Sequence, residues 1–130
     1  MTQVKITSKG SSNYKVGQTV DYNEFATTAQ RLLKQKKTPP TSQVLYSSEP
    51  IKVTFSNRYN LVENNETKSY YDVYIRDEMM GGAYLTPGQD FEVRIFLAVE
   101  AMPFAKQVLE ATEKRFHTRN ISITNIPPLS

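Results

Sequence analysis

Ile51-Lys52-Val53-Thr54-Phe55-Ser56-Asn57-Arg58 is the stretch on which the fold turns. Apolar Ile51, Val53 and Phe55 alternate with polar Lys52, Thr54, Ser56 and Arg58. Two later stretches repeat the pattern. Tyr71, Val73 and Ile75 alternate with Tyr70, Asp72, Tyr74 and Arg76, and Phe91, Val93, Ile95 and Leu97 with Asp90, Glu92 and Arg94. A period of two with one apolar side predicts an antiparallel sheet covered on one face, the other being a polar platform of hydroxyls, tyrosines and arginines. Such a platform, with no catalytic cluster on it, points to binding and not to an enzyme.

Outward from these strands, the period changes twice. Val4 and Ile6, the turn cluster Lys9-Gly10-Ser11-Ser12-Asn13, and a return over Tyr14–Val20 predict an N-terminal β-hairpin. Over 23–36, Phe25, Ala26, Ala29, Leu32 and Leu33 recur at helical spacing behind Asn23 as N-cap. Arg31, Lys34, Lys36 and Lys37 cluster at its end, where cations suit the helix dipole. Pro39-Pro40 ends the segment in an extended linker, and Gln43 to Ser47 reads as a short strand. Residues 61–68 read as a polar hairpin loop. Met79-Met80-Gly81-Gly82 through Thr86-Pro87-Gly88 reads as a second, projecting loop. After the last strand, Pro103 suits a first helical position, and Phe104, Ala105, Val108, Leu109, Thr112 and Phe116 form one helix stripe. Ile121 to Ser130, β-branched and containing Pro127-Pro128, reads as extended. The fold class expected is α+β, an antiparallel meander with its C-terminal helix on one face, in one domain over residues 1–130.

Composition narrows the function. There is no cysteine and a single histidine, His117, which excludes thiolate chemistry and multi-histidine zinc sites. No cofactor is expected. The carboxylate pairs Asp77-Glu78 and Asp90/Glu92 lie at strand ends, where acids are ordinarily solvated. The net charge of +3 allows contact with a polyanion without requiring it. No apolar run reaches membrane-span length and no signal-peptide pattern opens the chain, so a cytoplasmic protein without a membrane partner is expected. On the polar face, Lys52, Arg58, Arg76 and Arg94 can meet phosphates, Thr54 and Ser56 can bond bases or ribose, and Tyr70 and Tyr74 can stack on bases.

The order of these elements resembles the coat proteins of the single-stranded RNA bacteriophages, the levivirus family. Thr2-Gln3-Val4 leads into a Gly-containing turn, and Thr19-Val20 precedes Asn23-Glu24-Phe25-Ala26. Lys52-Val53-Thr54 with Ser56 and Arg58 is similar to the family's RNA-facing strand, and Tyr71 to Ile75 to the next one. Gly81-Gly82 stands at the variable loop, and Ile95-Phe96 opens the final segment. The resemblance implies an intertwined homodimer with sheets joined edge to edge and the helices of each subunit covering the partner's apolar face. Dimers would form an icosahedral capsid, assembled in the bacterial host cytoplasm, with the polar face turned to the RNA genome in the virion. It assigns RNA contact to Lys52, Thr54, Ser56 and Arg58, and secondarily to Tyr74 and Arg76. The helix at 23–36 departs from the family, as does the lack of a second C-terminal helix. The competing expectation is a phage single-stranded DNA-binding protein of the small β-barrel type, which the Tyr84–Gly88 stretch and the β-rich tail would suit. A third is a protein-binding inhibitor of a host enzyme.

Overall fold

Alternating Val4 and Ile6 drive the first strand of the structure, a computed structural model that describes residues 2–35, 51–88 and 91–126. This strand, β1 (Thr2–Ser8), pairs antiparallel with β2 (Thr19–Tyr22). The return strand begins later than Tyr14 because the intervening residues are held in turns. Ser12 N–H donates to Lys9 and Arg58 carbonyls, and Lys15 N–H donates to Gln18 Oε1. Then comes α1 (Glu24–Gln35), where the helical period placed it, with Ala26 N–H bonded to Asn23 Oδ1 at 2.9 Å.

A four-strand meander follows: β3 (Val53–Glu63), β4 (Glu66–Ile75), β5 (Glu78–Thr86) and β6 (Glu92–Leu97). Two turns set its register. Asn64-Asn65 and Arg76-Asp77 both have positive φ at both positions, the mirror-image turn that matches strand twist. These tight turns overturn the two loops expected at 61–68 and 79–88. The second is instead most of β5, in the middle of the sheet. Its glycines serve packing. A Cβ on Gly82 would lie 1.8 Å from the Tyr70 hydroxyl oxygen, and one on Gly81 would lie 2.1 Å from the Phe96 carbonyl oxygen.

A 3₁₀ turn (Val99–Phe104) holds Pro103 and leads into α2 (Ala105–Phe116), which His117 ends in the left-handed conformation. The chain then returns as β7 (Ile121–Asn125), parallel to β6. The sheet is therefore mixed but mostly antiparallel, with order β2-β1-β3-β4-β5-β6-β7. It stays open between β2 and β7, which argues against the closed barrel of the competing reading. The expected linker at Pro39-Pro40, the strand at Gln43–Ser47, Lys36, Lys37, Asp90 and the Pro127-Pro128 end lie outside the described residues.

The covering of the sheet differs from expectation. The C-terminal helix does lie on the apolar face, where Val108 and Ala101 join Val73, Ile75, Ile95 and Leu97, and Phe116 meets Phe55 and Tyr71 edge-on. Each fully buried Val, Ile or Leu among them contributes about 1.5–3 kcal/mol. Thr112 is buried there too, its hydroxyl donating to the Val108 carbonyl at 2.7 Å. But α1 lies on the opposite face, its Ala29 and Leu32 packing with Val4, Ile6, Tyr59, Leu61, Tyr70, Tyr84 and Phe96. One chain thus covers part of both faces. Tyr70, Tyr84 and Phe96 reach the α1 side by plain alternation, and a bulge in β3 adds to them. Asn57 opposes Tyr71 and Tyr59 opposes Tyr70, leaving Arg58 as the extra residue. Val53 and Phe55 point to the α2 side, whereas Tyr59 and Leu61, of the same parity, point to the α1 side. A one-residue slip reverses every side chain beyond it.

Candidate nucleic-acid interface

The six residues expected to touch RNA lie along the paired strands β3 and β4 and at their adjoining ends. Thr54 is opposite Tyr74 and Ser56 is opposite Asp72. Lys52, just before β3, accepts the Arg76 N–H on its carbonyl at 2.9 Å. Lys52 and the β3 residues Thr54, Ser56 and Arg58 therefore run beside Arg76, in the turn after β4, and Tyr74 of β4. Lys52 is exposed, and Thr54, Ser56, Arg58, Tyr74 and Arg76 are half-buried. This strip is what remains of the platform. Tyr70 and Asp72, read from the sequence as members of it, are buried beneath α1.

Asp72 organises the border between strip and helix. Its carboxylate is 1% exposed and accepts two guanidinium groups, Arg31 from α1 on Oδ1 and Arg58 on Oδ2. Arg58 binds with Nε at 2.8 Å and Nη2 at 2.7 Å, and its Nη1 reaches the Ser11 carbonyl at 3.4 Å. Two guanidinium groups against one carboxylate leave a surplus positive charge beside the strip. Arg58 is thus committed inside the fold, and Lys52 is the exposed cation among the six. Arg31 also lies 4.6 Å over the Tyr70 ring and donates to its hydroxyl at 3.0 Å, while Thr28 bonds the same hydroxyl. Burial lowers the Arg31 pKa, but Tyr70 and Asp72 outweigh it, and the net direction is up.

Behind this cluster the tyrosines make a hydrogen-bonded aromatic core. Tyr59 stacks on Tyr70 at 5.3 Å, Tyr14 and Tyr22 meet Tyr59 edge-on, and the Tyr59 hydroxyl donates to Tyr22 at 2.7 Å. Burial pushes the Tyr22, Tyr59 and Tyr70 phenols well up, with neighbouring phenols adding to the effect at Tyr22. These rings are unavailable for base stacking. Tyr74, packed at the cluster's margin, is the aromatic group of the strip.

Sequence reasoning took Arg31 for a helix-end cation and missed its contact with Asp72, the contact of Thr28 with Tyr70, and the role of Asp72. A signal was present: Thr28 and Arg31 fall on the stripe of Ala29 and Leu32, the face a helix buries. The remaining candidates stay apart. Asp77 is exposed in the β4–β5 turn, Glu92 and Arg94 form a solvated pair at 3.8 Å, and His117 is an exposed helix cap bordering an open cleft with Glu110, Glu113 and Arg119. Among the described residues no group of three or more His, Cys, Asp or Glu could hold a metal, and no helix is long and apolar enough to cross a membrane. No family model, curated protein or solved structure matches this chain.

Proposed function

We propose that this chain is a capsid subunit that dimerises, assembles into an icosahedral shell and binds single-stranded RNA along the β3–β4 strip. The observation that carries the reading is the convergence of Lys52, Thr54, Ser56, Tyr74 and Arg76 on one surface beside the cationic Arg31–Asp72–Arg58 cluster. Hydroxyls, a ring and cations side by side suit a flexible single strand, whose bases stack and whose phosphates need counter-charge. The order of elements, which resembles the levivirus coats, supports the shell. In this reading the α1 face turns inward to the genome. The helices need no exchange between subunits, since α2 covers its own sheet, and association falls to the sheet edges.

Expression in bacteria tests the proposal. Light scattering and negative-stain microscopy should find closed particles from which host RNA is extracted. A protein that stays monomeric, or that coats added oligonucleotides without forming particles, refutes it. With disassembled protein, Lys52→Ala should weaken RNA binding and reduce the slope of log affinity against log salt by about one. An unchanged slope removes the strip as the RNA surface.

A further inference from the structure

We infer that Arg31 carries an oxyanion subsite, in which its idle Nε–H and Nη1–H groups donate to a phosphate. The inference deepens the RNA reading, on which the source of that phosphate rests, by adding to the strip a contact that α1 supplies. A contrast between the two arginines on Asp72 is its first support. Arg58 commits all three of its nitrogens: Nε and Nη2 donate to Asp72 Oδ2, and Nη1 donates to the Ser11 carbonyl. Arg31 commits one. Its Nη2 serves both Asp72 Oδ1 and the Tyr70 hydroxyl. Its Nε and Nη1 are closed off from solvent, and neither has a hydrogen-bond partner. A guanidinium carries one hydrogen on Nε and two on each Nη, and in a protein it keeps its charge. Most hydrogens of a permanent cation are therefore unmet. Buried donors nearly always find acceptors, and an orphan marks a place where an acceptor belongs.

Charge and position choose the acceptor. Each oxygen of the Asp72 carboxylate already holds one arginine, so the cluster has one cation more than it has anions. A neutral acceptor would leave that charge in place, and an anion removes it. Hydrogen bonds between an ionised donor and an ionised acceptor are the strong ones, and they gain strength where water is shut out. Guanidinium groups suit phosphate in particular, because their donors are held in a rigid plane. Position supplies the phosphate. Asp72 stands opposite Ser56 across β3 and β4, and directly paired residues lie on one face about 5 Å apart. The Arg31 head, bonded to Asp72, thus borders the middle of the strip on the side of Ser56. The whole side chain keeps 16% exposure, so the head lies just beneath the surface and rotation of side chains admits the ligand. A strand laid along Lys52, Thr54 and Ser56 carries its phosphates past this point.

Nuclease-treated, disassembled full-length protein is labelled with nitrogen-15 for magnetic resonance, and the Arg31 guanidinium signals are assigned by their loss in Arg31→Lys. At fixed ionic strength two probes are titrated: inorganic phosphate, and a single-stranded oligouridylate of about ten nucleotides. Both should move the Arg31 Nε–H proton downfield and slow its exchange with water, as a new acceptor does. Arg31→Lys keeps a cation against Asp72 but lacks the planar donors, and should weaken oligonucleotide binding at least about tenfold. Far-UV circular dichroism checks that this variant is folded, and if it is not, the wild-type signals decide alone. An Arg31 signal that neither probe moves, while Lys52→Ala still weakens the oligonucleotide, overturns the inference and leaves the strip. So does a folded Arg31→Lys protein that binds the oligonucleotide as the wild type does. Movement with phosphate alone keeps the subsite for a free anion and removes the RNA reading. Binding of neither probe anywhere on the protein overturns both.

Discussion

Replacing Asp72 by Asn keeps the shape of the side chain and removes the charge that two arginines share. Asp72 is 1% exposed, while Arg31 and Arg58 are 16% and 19% exposed. The substitution strands two guanidinium groups that are mostly out of water and turns amide hydrogens toward guanidinium hydrogens. Breaking a buried ion pair costs about 3–5 kcal/mol, and the residual hydration of the arginines places this case near about 3 kcal/mol. With unfolding entropy of about 2.1 cal/mol/K per residue over the whole chain, that loss lowers Tm by about 11 °C. The assay is urea and thermal unfolding followed by far-UV circular dichroism, because the chain has no tryptophan. Asp77→Asn, in an exposed turn whose positive φ suits asparagine, is the control and should change stability by less than about 0.5 kcal/mol. Since Arg31 reaches Asp72 from α1, amide exchange in α1 should also accelerate more than in α2. Adding Arg58→Met to Asp72→Asn should recover part of the loss by removing the surplus cation. A loss below about 1 kcal/mol, or equal acceleration in both helices, refutes the view that this carboxylate fastens α1 to the sheet.

Two further outcomes follow from the aromatic core. Tyr22, Tyr59 and Tyr70 have folded-state pKa values raised above the unfolded phenol value near 10. Above that pH the unfolded chain loses protons that the folded chain keeps, so the stabilisation is complete below about pH 10 and falls as pH rises, by about 1.4 kcal/mol per unit for each phenol. Ultraviolet titration should show these three ionising only with unfolding, and their titration in the folded state would contradict their burial. Gly82→Ala places a methyl group 1.8 Å from the Tyr70 hydroxyl oxygen, which Thr28 and Arg31 hold in place. It should cost about 3 kcal/mol or more in urea unfolding, at the upper end for overpacking, whereas a loss under about 0.5 kcal/mol would mean the ring moves aside without penalty.

The local elements were legible because short-range chemistry makes them. Asn23 caps a helix whose apolar spacing is plain, the three alternating stretches are strands, and Phe104 to Phe116 carry a stripe that meets the sheet. The glycines misled because Gly81-Gly82 satisfies a loop rule and a packing rule equally well. The Tyr70 ring against Gly82 and the Phe96 carbonyl against Gly81 distinguish them. The candidate strip was legible for a similar reason: its residues share parity on two strands that pair in simple register from Val53 to Asn57.

Amino-acid order alone determined where the chain alternates and where it turns helical, because those periods follow from the backbone's own geometry. It also determined the polar strip from Lys52 to Ser56. Only the tertiary structure decided which face each residue of β3 beyond Asn57 joins, because the extra residue Arg58 inverts the strand and no period reveals a bulge. That inversion put Tyr59 and Leu61 under α1, and it is α1, packed on this face, that buries Asp72 against Arg31 and narrows an expected open platform to a strip.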